Sequence, residues 1–75
     1  MAAETTVDAR GTRCPKPILE LSRAIEDGIA AVIVLLADDP SARVDVPVWC
    51  RLKHHELLEA VEHDGAWRFT VRPGC

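Results

Sequence analysis

Arg10-Gly11-Thr12-Arg13-Cys14-Pro15-Lys16-Pro17-Ile18-Leu19 is the stretch where a short β-branched run gives way to apolar residues at helical spacing. Pro15 suits a first helical turn, where a missing N–H costs nothing and φ is already helical. Pro17 still falls inside that turn, so the two prolines mark a start rather than a break. Cys14 therefore sits where a loop becomes a helix. A sulfur there faces the positive end of the helix, which favours an anion. Arg10, Arg13 and Lys16 add three cations within seven residues. Both effects push a thiol toward thiolate, the reactive form.

Outward from this stretch, Thr6-Val7-Asp8-Ala9 reads as a short strand ended by Gly11. The helix from Pro15 places Ile18, Leu21 and Ile25 on its buried side, with Leu19 and Ala24 at the margins. Glu20, Arg23, Glu26 and Asp27 face water, and Gly28 is a good stop. Ala30 to Ala37 is continuous apolar sequence, too short for a membrane span and β-branched in the middle, which predicts a central strand. Strand, helix and strand imply a right-handed βαβ unit with parallel strands. Only one layer of helices is available to cover this strand, so its second face is expected to offer an interaction surface or a dimer seam.

Pro47 restricts the second helix. A start at Ser41 would put this proline in the interior at a cost of roughly 3 kcal/mol. The alternative has Asp45 as N-cap, a Val44–Trp49 staple, a helix from Val46 to Lys53, and Val48, Trp49 and Leu52 on its buried side. His55 to His63 and Ala66 to Arg72 then flank Asp64-Gly65, a strong hairpin signal. Pairing across that turn sets 62 opposite 67, 60 opposite 69 and 58 opposite 71. Leu58, Ala60, Trp67, Phe69 and Val71 would share the core face, while Arg68, Thr70 and Arg72 point away beside Glu59. The order βαβαββ predicts an α/β two-layer sandwich, a mixed four-stranded sheet with two helices on one face.

Seventy-five residues allow one domain over 1–75, which buries only ~60–65% of its unfolded surface. A net charge of −3 argues against a nucleic-acid binder, where a basic excess is expected. No apolar run approaches the ~20 residues of a membrane span, and Met1-Ala2-Ala3-Glu4 does not begin a signal peptide. A cytoplasmic protein is expected. Three cysteines are an odd number and make no disulfide framework. Cys50 lies in the second predicted helix and reads as core; Cys75 reads as a free terminal thiol. Cys50 and His54 are spaced i, i+4 beside His55, but without further ligands they make no metal site. His63 reads as a solvated turn residue. Neither cofactor nor metal is expected.

Gly11-Thr12-Arg13-Cys14-Pro15-Lys16-Pro17 resembles the G-x-x-C-P-x-P signature of TusA/SirA-like sulfur-carrier proteins. The likeness covers nearly the whole chain. Val7-Asp8-Ala9-Arg10-Gly11 is similar to the family's first strand and turn. Ala37-Asp38-Asp39-Pro40 with Asp45-Val46-Pro47-Val48-Trp49-Cys50 resembles its second loop and helix. His55-Glu56-Leu57 and the closing hairpin resemble its end. The chain departs from the pattern at Lys53-His54, where the family commonly has a small residue and glycine, and at Cys75, which the pattern does not ask for.

The resemblance implies a βαβαββ fold and a Cys14 that carries sulfur as a persulfide, with Pro15 and Pro17 as the rigid helix start. Arg13 and Lys16 flank the sulfur in support. It implies loading by a cysteine desulfurase or a rhodanese-type sulfurtransferase. Delivery would be to an acceptor protein in tRNA 2-thiouridine synthesis, molybdenum-cofactor metabolism or sulfur oxidation. That is a half-reaction rather than a complete enzyme, performed by a monomer or weak dimer without direct nucleic-acid or membrane contact. The alternative is a regulatory or nucleic-acid-binding module without sulfur chemistry.

Overall fold

In the computed structural model, residues 4–13, 15–28 and 31–74 are described. The elements run β1 (Glu4–Asp8), α1 (Lys16–Asp27), β2 (Val32–Ala37), α2 (Ala42–Leu52), β3 (Glu56–His63) and β4 (Ala66–Arg72). They form one four-stranded sheet of order β1-β2-β4-β3, with β1 parallel to β2 and β4 antiparallel to both its neighbours. This is the expected α/β two-layer sandwich with a mixed sheet. The predicted strand at Ala30 to Ala37 begins at Val32, and Ala30 lies outside the described residues.

Alternation along β2 organises the core. Ile33, Leu35 and Ala37 are fully buried and pair with Val71, Phe69 and Trp67 of β4. Across the parallel ladder Leu35 also meets Val7. From the helices, Leu21 of α1 and Ala42, Val46 and Cys50 of α2 close onto this face. Each fully buried large side chain contributes about 1.5–3 kcal/mol. The opposite face is less greasy than an apolar run suggests, because Val34 pairs with Thr6 and Thr70 and is itself buried. Ion pairs rim that side: Glu59 with Arg68, and Glu56 with Arg72, as the predicted outward face of β4 requires.

The first helix follows its sequence signals. Pro15 stands at the N-cap, Pro17 in the first turn, and Gly28 closes the end in the left-handed conformation, its N–H donating to the Ile25 carbonyl. Pro17 proves to be core, buried beside Leu21.

The second helix corrects the predicted Val46-to-Lys53 boundary. It starts four residues earlier, at Ala42, and carries Pro47 inside it. Asp39 supplies the start that Asp45 does not: its carboxylate accepts the Ser41 N–H at 3.0 Å and its carbonyl accepts the Ala42 N–H at 2.9 Å. Asp45 is a first-turn acid instead. The longer helix brings Ala42, Val46 and Cys50 onto one stripe at i, i+4, i+8, all buried to 1% exposure or less. Burying that stripe outweighs the hydrogen bond that Pro47 forfeits. The same phase turns Val44, Val48 and Leu52 outward, at 62%, 51% and 69% exposure, so Val48 and Leu52 leave the predicted buried side and the Val44–Trp49 staple is lost, while Trp49 packs against the core as expected.

The hairpin pairs as predicted near its turn, with Glu62 opposite Trp67 and Ala60 opposite Phe69. Asp64 and Gly65 both take positive φ, 53° and 78°, as a tight two-residue turn demands. Beyond Glu59 a bulge shifts the register, and Leu57 rather than Leu58 faces Val71. Leu57 therefore packs on the core and Leu58 is left exposed. A bulge adds one unpaired residue, which is invisible to strict alternation.

Between α2 and β3, His54 occupies the left-handed region at φ 61°. The His55 N–H donates to the Cys50 carbonyl at 2.8 Å and the His54 N–H to Arg51 at 3.3 Å, a Schellman closure with histidine at the usual glycine position. The chain end returns to this corner. Gly74 donates its N–H to His55 Nδ1 at 2.9 Å, and a Cβ on Gly74 would collide with the His54 carbonyl. The His55 ring also leans on Trp49, 5.2 Å between centroids. Burial, followed by the nearby charges of His54 and Lys53, lowers the His55 pKa below its ordinary value.

Three outcomes are expected. Pro47→Ala restores a helix hydrogen bond and should raise stability by about 1–3 kcal/mol, read from the urea midpoint; a loss of stability would mean that the proline is unstrained where it sits. His54→Gly should gain about 0.5–1 kcal/mol, relief of left-handed strain less the extra unfolded entropy of glycine. His55 has its pKa lowered by folding, so the stability it confers is whole above about pH 6.5 and erodes as pH falls toward the folded pKa. NMR titration of the ring should show the lowered value, and Gly74→Ala should return it toward the ordinary one by undocking the tail.

Candidate functional site

Topology places the candidate site. β1, β2 and β3 run parallel, so α1 and α2 both begin at the C-terminal edge of these strands. Open α/β sheets bind ligands at this edge. The loop carrying the G-x-x-C-P-x-P motif bridges β1 and α1 there, opposite the Asp38–Ser41 turn that bridges β2 and α2.

The loop is held residue by residue. Ala9 is buried, and its N–H extends the parallel ladder to the Leu36 carbonyl at 2.8 Å. Thr12 caps the turn, its Oγ1 donating to the Ala9 carbonyl at 2.6 Å and its N–H to the same oxygen at 3.3 Å. Gly11 takes φ 82°, a conformation L-residues rarely adopt, and donates its N–H to the Asp38 carboxylate at 2.9 and 3.1 Å from its two oxygens. The Lys16 N–H turns back to the Arg13 carbonyl at 2.9 Å. Cys14 lies outside the described residues; Arg13 and Pro15, which bracket it, are both exposed. Lys16 is exposed at the first helical position, whereas Pro17 is buried and anchors the turn.

The electrostatics differ from a simple cluster of three cations. Arg10 is committed to Asp8: its Nε donates to Oδ1 at 2.9 Å and its Nη2 to Oδ2 at 2.8 Å. Hydrogen bonds from the Arg10 side chain and backbone hold the Asp8 carboxyl down to about 2, so the pair stays ionised and mutually neutral. Arg13 and Lys16 have no ion-pair partner among the described residues. The helix end is also poorer in donors than an ordinary one, since Pro17 has no N–H and that of Lys16 is spent on Arg13. Arg13 and Lys16 are thus the cations of this loop that no described carboxylate neutralises.

Cys50 is the opposite kind of cysteine. It is free, 1% exposed and packed in the core, and burial pushes its thiol up to about 11. Its predicted role as core packing stands, while Cys75 lies outside the described residues. His54 and His55 serve the α2–β3 corner, and His63 is exposed beside Asp64 at 3.4 Å. Among the described residues no group of three His, Cys, Asp or Glu could hold a metal ion, and no helix is long and apolar enough to cross a membrane.

Two surface features adjoin the loop. A groove of about 380 Å³ opens on the face of the sheet away from the helices, between Arg10, Leu36, Val61 and Arg68. On the helical side, Val44 and Leu19 are exposed in the first turns of α2 and α1, and Val48 and Leu52 continue the apolar stripe down α2. The sequence reading missed two parts of this site, the Asp38 tie to Gly11 and the neutralisation of Arg10. An acidic pair directly after a buried strand and before a proline was the available signal for the first. An Asp-x-Arg spacing was the signal for the second.

Comparison with known proteins agrees with this architecture. The chain is 34% identical over 67 residues to a protein of Archaeoglobus fulgidus named "Putative sulfur carrier protein", covering 88% of this chain and 92% of that one. The crystal structure of a SirA-like protein from Desulfitobacterium hafniense superposes with a TM-score of 0.81 at 26% identity, over 93% of this chain and 97% of the other. Residues 5–73 match the family described as Sulfurtransferase TusA, and the chain belongs to that family.

Proposed function

We propose that this protein is a sulfur carrier in which Cys14 accepts sulfane sulfur as a persulfide and hands it to a second protein. Membership of the TusA family, with the G-x-x-C-P-x-P motif intact at the junction of β1 and α1, carries this reading. The Cys14 thiolate attacks the outer sulfur of a donor's cysteine persulfide. A new S–S bond forms on Cys14, the donor's S–S bond breaks, and the donor sulfur leaves as a thiolate that water can protonate. Repetition of the step, with Cys14 now the donor, releases the cargo. No external oxidant or reductant is needed, because sulfane sulfur changes hands without a net change in oxidation level.

Each neighbour of Cys14 has a part. Pro15 and Pro17 stiffen the helix start, and Arg13 and Lys16 offer positive charge to a thiolate and to the persulfide anion. The exposed Leu19 and Val44 give a partner protein apolar surface at the same edge, and Val48 and Leu52 extend it down α2. A cysteine desulfurase or rhodanese-type sulfurtransferase is the fitting donor. The acceptor belongs to tRNA 2-thiouridine synthesis, molybdenum-cofactor metabolism or sulfur oxidation. Residues 1–75 act as one cytoplasmic carrier domain, a monomer or weak dimer.

Intact-mass analysis after incubation with a cysteine desulfurase and cysteine should show one added sulfur, mapped to Cys14. Cys14→Ser should abolish loading, while Cys50→Ser and removal of Cys75 should leave it largely working. Extra sulfur on Cys50 or Cys75 would sink the assignment. Arg13→Glu with Lys16→Glu should raise the Cys14 pKa, followed as alkylation rate against pH; an unmoved profile would leave the helix end as the activating element.

A further inference from the structure

We propose that Asp38 is the positioning residue of the cysteine loop, its carboxylate fixing through the Gly11 N–H where the Cys14 sulfur meets the sulfur of a donor. The inference rests on the carrier reading and adds a residue to it. Segment 10–13 makes its other described hydrogen bonds locally: Arg10 to Asp8, Thr12 to Ala9, and Arg13 with Lys16. Among the described residues, the bond between Gly11 and Asp38, 27 positions apart in sequence, is the one that ties this segment to another part of the fold.

Asp38 is well placed for that task. It follows Ala37, which is fully buried at the end of β2, and precedes Asp39, whose carboxylate and carbonyl start α2. The side chain thus hangs from a short turn pinned at both ends. Its partner is equally constrained, because at φ 82° Gly11 presents its N–H in a direction that an L-residue would rarely allow. The bond is charge-assisted, the stronger class of hydrogen bond. Asp38 also lies close enough to Arg10 for its charge to favour that cation, which couples the Asp8–Arg10 pair to the Gly11 tie. Only Thr12 and Arg13 separate Gly11 from Cys14, and an error of about 1 Å at a reacting atom can slow a transfer on the order of a hundredfold.

The experiment is steady-state desulfurase turnover with this protein as the varied sulfur acceptor, for wild type, Asp38→Ala and Asp38→Asn. Asp38→Ala should lower kcat on the order of tenfold or more with KM for the carrier unchanged, since misplacement acts after docking. Asp38→Asn keeps an oxygen that can accept the Gly11 N–H and should recover most of the rate. Urea midpoints should stay close, because the carboxylate is exposed. Wild-type kcat in Asp38→Ala overturns the proposal, and so does an Asn variant as slow as the Ala variant, which would point to charge rather than to the hydrogen bond. If Asp38→Ala does not fold, the Asn variant and exchange of the Gly11 amide decide: rapid exchange in wild type would itself refute the tie. Failure of wild type to load at Cys14 sinks the carrier reading instead, and Gly11 exchange with the rate of Cys14 alkylation in the Asn variant still reports whether Asp38 holds the loop.

Discussion

The parallel pairing of β1 with β2 is the constraint from which the rest of the molecule follows. β2 is buried along most of its length and lies between β1 and β4, so it fixes both ladders. Once Val7 stands opposite Leu35, the ladder runs on to Ala9 and Leu36, and the two loops leaving these strands are forced side by side. The candidate loop is thus set by the core packing of a strand that it does not belong to. In a domain of 75 residues such sharing is economical, because there is little additional structure to hold a loop in place.

The same edge gathers features of different character. Arg13 and Lys16 present charge, Leu19 and Val44 present apolar surface, and Pro17 sinks into the core. A helix buried along one stripe and apolar along its outer one, as α2 is, gains nothing for folding from Val44, Val48 and Leu52. Such apolar surface is left available for contact with other molecules.

Much of this was legible in the sequence, and the exceptions have physical causes. Strand and helix order, the Gly28 stop, the Asp64-Gly65 turn and the burial of Cys50 are local or periodic signals, and they survive folding. The start of α2 was not legible because two local rules competed with a tertiary one. Asp45 and Pro47 together imitate a helix start, while the benefit of burying Ala42 depends on a sheet that the local sequence does not display. The error in phase then carried Val48 and Leu52 to the wrong side. Leu58 was misplaced for a similar reason, since a bulge is one residue of slack that period-two counting cannot see. At the candidate site, motif residues were visible one by one, but the tie between Gly11 and Asp38 spans 27 positions and exists only once β1 and β2 have paired.

The sequestration of Cys50 bears on how long a carrier can keep its cargo. A thiolate that attacks the inner sulfur of a persulfide discharges it, yielding a disulfide and free hydrogen sulfide, and a second cysteine within one small domain invites that short circuit. With its thiol pushed up to about 11, Cys50 stays protonated at neutral pH, and its sulfur is shut inside the sheet–helix layer. The core thereby acts as insulation. On the carrier reading, cargo held on another cysteine is spared attack from the chain's own interior.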